Sequence, residues 1–307
     1  MEKNPSSQEL YQSWKELLDS GDPFYLIVLL ILFTVVFIMP LYYFWSVYRQ
    51  YYPHSLKAKY RFYLGQTSYY QNLSSVDKLL FEKRVQLFIN HKQFISRGKG
   101  FDLSDEMVAR IAASAVEISF GFPKMGFEHF NRILIYPDDY YSNITKKFHA
   151  GEVNARGFIV LSWKSFQNGY ENDTDGINLG IHEMAHALKL ENRIQNGDYN
   201  FLSAKLMQNF ATEFEAYKAG YHQVDPTILR SYAGSNIHEF FAVLCENFFE
   251  RPAQLREENS ALYHLMTQLL LQDPLSRHTA SEINLASHIS IKPAGPIERY
   301  WKWIYRN

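Results

Sequence analysis

Apolar residues run from Phe24 to Met39 with only Thr34 interrupting them, and from Phe24 onward no charged residue appears until Arg49. As a helix this run is about 24 Å long, and continuing it through Leu41-Tyr-Tyr-Phe-Trp45 brings it to about 33 Å, a bilayer core with an aromatic belt. A core helix of a globular domain would keep a polar face, and this run has none. The pattern predicts one transmembrane helix over residues 24–47.

Downstream the pattern turns amphipathic. Ser75 starts a predicted helix to about Phe94, a turn follows at Gly98 and Gly100, and Ser104 caps a second helix with Asp105 and Glu106 in its first turn. Arg132–Tyr136 reads as a strand ended by Pro137. Gly157–Trp163 reads as another, equally a buried strand or an edge strand able to pair with an extended substrate. Behind a loop at Asp173-Thr-Asp-Gly176, the residues Ile177, Ile181, Ala185 and Leu188 recur at helical spacing. Ser235 or Asn236 caps a further helix with an apolar stripe of Phe241, Leu244, Cys245 and Phe248, stopped by Pro252. The predicted class is mixed, α+β. The chain divides into an acidic tail (1–23), the span (24–47), a tyrosine-rich juxtamembrane connector (48–73) that could lie on the bilayer surface, one large domain (74–272) and a C-terminal tail (273–307). An aromatic cluster in that tail, Tyr300-Trp-Lys-Trp-Ile-Tyr305, offers itself for docking on the domain or membrane.

The chemistry sits on the helix behind residues 173–176. Its string His182-Glu183-Met184-Ala185-His186 places two imidazoles one turn apart on one face, where both can grip a single metal ion. Glu183, next to the first ligand, can then take a proton from a water activated by zinc. Such a string arises by accident in roughly one chain of this length in a hundred, so its place on a capped helix with an apolar back is what gives it weight.

Catalytic zinc takes three protein ligands and leaves one position open. The best source of the third is the helix after residue 235, where Glu239 and Glu246 share a face. One of these carboxylates could ligate while the other supports it from behind. Glu213 and Glu215 compete, but read better as a solvated helix face. His222 and His238 read as surface or supporting groups.

Several segments in the same order resemble the Mlc titration factor A type metallopeptidases over roughly residues 75–256. They are Lys99-Gly-Phe-Asp-Leu-Ser-Asp-Glu-Met107 with Ile111–Ala115, Ile133-Leu-Ile-Tyr-Pro137, Gly151-Glu-Val with Val160-Leu-Ser-Trp163, the HEMAH helix, and Glu239-Phe-Phe-Ala-Val. The resemblance extends distantly to the catalytic domain of anthrax lethal factor. It implies a zincin-like, gluzincin fold with one zinc ion held by His182, His186 and Glu239, and with Tyr232, seven residues before Glu239, facing the metal as oxyanion donor. It also implies hydrolysis of a peptide or protein substrate, with aminopeptidase or short-peptide cleavage as the expected mode. The family name records a different role, capture of a transcriptional repressor, so a membrane-tethered regulator of a cytoplasmic partner is the alternative expectation. Members of the family are typically soluble, and the apolar run departs from that.

Charge sets the expected topology. Glu2, Glu9, Glu16, Asp19 and Asp22 precede the span against Lys3 and Lys15, while Arg49, Lys57, Lys59 and Arg61 follow it. The positive-inside rule predicts a single-pass protein of a bacterial inner membrane, N-terminus outside and enzyme domain in the cytoplasm. The basic start and small-residue site of a cleaved signal peptide are missing. A lone Cys245 cannot form an intrachain disulfide, which agrees with a reducing compartment. A net charge of −1 gives no basic footprint for nucleic acid.

Overall fold

A computed structural model describes residues 6–19, 23–51, 55–142, 146–194, 201–220 and 228–276. His222 and the aromatic cluster at 300–305 lie outside the described residues. The chain divides into two compact units between His54 and Ser55.

The first unit is helical. It comprises α1 (Ser7–Asp19), α2 (Pro23–Phe33), a π-helical turn (Thr34–Ile38) and α3 (Met39–Tyr51), the last three running on without a break. Leu26–Tyr48 is the one helix among the described residues long and apolar enough to cross a membrane. Its apolar side chains, including Ile27, Leu30, Val35, Ile38 and Leu41, are exposed. The one polar group inside the run is satisfied locally, because the Thr34 hydroxyl donates to the Leu30 carbonyl at 2.8 Å.

The second unit begins with α4 (Ala58–Leu64), α5 (Ser68–Asn72), α6 (Ser75–His91), strand β1 (Gln93–Ser96) and α7 (Asp105–Ser119). Strands β2 (Arg132–Tyr136), β3 (Tyr140–Ser142), β4 (Lys147–His149), β5 (Gly151–Asn154) and β6 (Phe158–Ser162) follow. The remainder is helical: α8 (Trp163–Glu171), α9 (Leu179–Ile194), α10 (Ala204–Lys218), a 3₁₀ turn (Ser231–Gly234), α11 (Ile237–Glu250), α12 (Pro252–Glu258) and α13 (Ser260–Leu270). The main sheet has the order β1-β2-β6-β5, with β1, β2 and β6 parallel and β5 antiparallel to β6, while β3 and β4 form a separate antiparallel pair. The result is a mixed, mostly helical architecture.

Local chemistry explains most boundaries. Ser74, Ser104, Ser162, Ser203 and Asn236 each accept a backbone N–H from the first turn of the helix they precede. The alanines of α7 (Ala109, Ala112, Ala113 and Ala115) are fully buried, and their small size lets α7 approach α4, α6 and α9 closely. The hairpin between β5 and β6 turns at Gly157, whose φ of +87° favours glycine.

The structure departs from the sequence reading at several boundaries. The segment read as connector divides: from Ser55 onward it belongs to the second unit, with Leu56, Tyr60 and Leu64 in the core and α4 packed on α7. The helix starting at Ser75 ends at His91, not Phe94, because Lys92 turns extended and Gln93–Ser96 joins the sheet; Phe94 and Ile95 fit either apolar pattern. Trp163 opens α8 instead of closing a strand. Pro252 stops α11 and also starts α12, at the position where its missing N–H costs nothing. Ile177 precedes α9 and is exposed, whereas Ile181, Ala185 and Leu188 form its buried back as expected.

Candidate metal centre

The fold brings α9 and α11 together at the end of the sheet. Helix α9 packs on β5, β6, α7, α8 and α11. Its first turn is fixed by Asn178, whose side-chain oxygen accepts the Ile181 N–H at 3.1 Å. That of α11 is fixed by Asn236, which accepts the N–H groups of His238 and Glu239 at 2.8 and 3.1 Å. Lys189 of α9 donates to the Ile237 carbonyl at 2.9 Å, tying the two helices where the site forms.

His182 Nε2, His186 Nε2 and Glu239 Oε2 converge. The two nitrogens are 3.1 Å apart, and the carboxylate oxygen lies 3.2 Å from the first and 3.4 Å from the second. Zinc held at about 2.0–2.1 Å by three corners of a tetrahedron puts its ligand atoms about 3.3–3.4 Å apart. The spacing fits one such ion. Glu239 Oε2 is also buried without a hydrogen-bond partner, which suits an atom whose partner is a metal. These three residues are the one set among the described residues able to gather three ligand atoms.

Electrostatics reinforce the set. Burial opposes charge on His182, but Glu239 and Glu246 outweigh it and push its pKa up to about 10. Burial likewise opposes ionisation of Glu239, yet His182 and His186 hold that carboxyl well below the usual range. Protonated His182 thus faces the Glu239 carboxylate beside the point where a cation would sit.

Behind His182 stands Glu246, fully buried, with its carboxylate against Nδ1. Arg230 donates to the same Glu246 oxygen at 2.8 Å, and the Asn178 N–H donates to the other at 3.3 Å. Sequence reasoning paired Glu246 with Glu239 by their seven-residue spacing but missed Arg230. It lies in the loop before the 3₁₀ turn, and no local pattern marks it.

Glu183 is buried beside the converging atoms. Burial raises its pKa against the opposing pull of His182 and His186. Gly151 of β5 lies so close that a Cβ built there would fall 2.3 Å from Glu183 Oε1, so only glycine leaves the carboxylate its place. Tyr232 is half-exposed, with its ring centroid 6.2 Å from that of His182. Burial, and next the charge of Glu239, raise the pKa of its hydroxyl and keep it protonated. His182, His186, Glu239, Glu183 and Tyr232, with His149, Glu152, Arg193 and His238, line a cleft of about 450 Å³. Glu213 and Glu215 lie on α10 outside that lining.

The strand reading needs one correction. Phe158–Ser162 is not an edge strand, because β2 and β5 flank it on both sides and Ile159 and Leu161 are fully buried. The edge beside the cleft is β5, from which Gly151, Glu152 and Val153 line the opening.

The family profile described as glucose-regulated metallo-peptidase M90 matches residues 45–270. A Synechocystis protein, slr2042, is 29% identical over 227 residues, covering 67% of this chain and 81% of its own length. Mlc titration factor A of Escherichia coli is 29% identical over 235 residues, covering 67% of this chain and 84% of its own. Its namesake in Yersinia pestis is 30% identical over 225 residues, covering 65% and 79%. The chain therefore belongs to the glucose-regulated M90 metallopeptidases, the family that includes proteins named Mlc titration factor A.

Proposed function

We propose that this chain is a membrane-anchored zinc metallopeptidase of zincin-like fold that hydrolyses peptide bonds. The observation that carries the reading is the approach of His182, His186 and Glu239 to tetrahedral spacing with the buried carboxylate of Glu183 beside them. Zinc bound there supplies Lewis acidity, which makes a water acidic near neutral pH and polarises a substrate carbonyl.

The chain's own groups complete the reaction. Glu183, shielded from solvent and with a raised pKa, accepts a proton from the attacking water and returns it to the leaving amine. Tyr232, kept protonated, donates a hydrogen bond to the oxyanion. Glu246 holds His182 in place through Nδ1, and Arg230 neutralises that buried carboxylate. The free edge of β5 can pair with an extended peptide laid along the cleft. Aminopeptidase or short-peptide cleavage is the mode the family resemblance implies, and a cleft of about 450 Å³ admits a short peptide. Leu26–Tyr48 anchors the chain in a bacterial inner membrane with residues 55–276 on the cytoplasmic side.

The test is turnover of a panel of chromogenic peptides and amino-acid amides by detergent-solubilised full-length protein, with bound zinc quantified in the same samples. Zinc-dependent cleavage abolished in Glu183→Gln supports the reading, and zinc-loaded wild type that cleaves none of the panel overturns it.

A second reading is favoured by the relatives' name, titration factor. In it the chain captures a cytoplasmic regulatory protein at the membrane, and the metal centre serves that contact. Capture with the Glu183→Gln variant, followed by cleavage assays on what is held, separates the two readings.

A further inference from the structure

A second cavity, of about 350 Å³, lies apart from the metal cleft among α5, α7, α8, the start of α9 and the end of α11. Its lining includes four acids, Glu117, Asp173, Glu250 and Asp273, and no lysine, arginine or histidine. Tyr69, Phe120, Tyr170 and Phe249 supply an aromatic wall.

Glu117 is the informative member. It is only 7% exposed, and among the described residues its carboxyl forms no hydrogen bond or ion pair. The charged groups that bear on it, Glu250 and Asp173, repel it; burial, with that repulsion added, lifts its pKa to about 8. Alone, that carboxyl stays mostly protonated near neutral pH, and a cation entering the cavity would stabilise its charged form.

The kind of cation follows from spacing. The four acids do not gather three ligand atoms within the 4.8 Å that a single metal ion needs, whereas the metal centre does. A longer cation with apolar stretches between its charges suits spread carboxylates and aromatic faces. We infer that this cavity binds a small organic polyamine, its ammonium groups paired with Glu117 and Glu250 and its methylenes laid against the aromatic wall.

Calorimetric titration of spermidine into zinc-loaded, detergent-solubilised full-length protein tests this. Saturable binding at one site per chain is expected, weakened at least tenfold, a change of about 1.4 kcal/mol, in Glu117→Gln. That variant keeps the shape of the protonated carboxyl, so its unliganded Tm should not fall. Thr174→Lys, a substitution at an exposed position on the cavity lining, brings a tethered ammonium to the site and should block spermidine. Heat that fails to saturate at spermidine concentrations on the order of 1 mM overturns the inference. So does affinity unchanged in both variants, or calcium or manganese binding lost in Glu117→Gln while spermidine has no site.

Discussion

The carboxylate of Glu246 meets Nδ1 of His182 on the side away from Glu239, while Arg230 at 2.8 Å and the Asn178 N–H at 3.3 Å hold that carboxylate still. One buried acid thus fixes which nitrogen of the first imidazole faces the site. Glu246→Gln keeps the shape and removes the charge. Zinc affinity should fall by about 10- to 100-fold, read by chelator competition, with the histidines and Glu239 still binding. Unchanged affinity would show that the pair is only structural.

Zinc content separates ligands from bystanders. His182→Ala and His186→Ala should leave the purified protein essentially without zinc, and Glu239→Gln should weaken retention strongly. Glu213→Gln and Glu215→Gln should leave it loaded. If an α10 variant empties the centre while Glu239→Gln stays full, the third ligand is on α10.

Chemistry and metal holding should come apart at Glu183. Glu183→Gln is expected to retain zinc and lose about 100- to 10,000-fold in turnover. Tyr232→Phe should retain zinc and lose about 100- to 1,000-fold, mostly in kcat. Gly151→Ala tests the same carboxylate from the other side, since the added methyl would overlap Glu183 and displace it. Its turnover should fall with zinc content intact, and full activity would show that the strand yields.

Metal uptake should depend on pH with a definite sign. His182 is raised to about 10, so near neutrality the metal-free protein holds a proton there that zinc must expel. Apparent affinity should rise by about tenfold per pH unit for one proton released, until the pH approaches the pKa of His182. Titrations in buffers of different ionisation enthalpy would count that proton, and a count of zero contradicts the assignment.

The anchor is tested by topology. Full-length protein should sediment with membranes, a reporter after Asn307 should behave as cytoplasmic, and one before Met1 as external. Digestion of the second unit by protease added outside intact cells would reverse the orientation.

What the sequence made legible followed physical period. The α9 pair, the cap at Ser104, the cap at Ser235 or Asn236, and strands β2 and β6 were readable because long or strongly apolar segments carry their own signal. The three- and four-residue strands β3, β4 and β5 were not, since half-buried, partly charged stretches resemble loops. Arg230 was invisible for a different reason: its role exists only once a loop folds over Glu246. The stretch from Ser55 to Leu73 misled because its tyrosines suit a membrane surface as well as a core, and only the packing of Tyr60 and Leu64 decides.

Helix α9 brings two of the converging atoms and α11 the third, along with the acid that steadies the first. An ion at that junction would act as a clasp between two segments separated by about forty residues of chain. If zinc is that ion, mass action would make its supply a matter of folding as well as of chemistry, and zinc shortage would loosen the junction of the two helices.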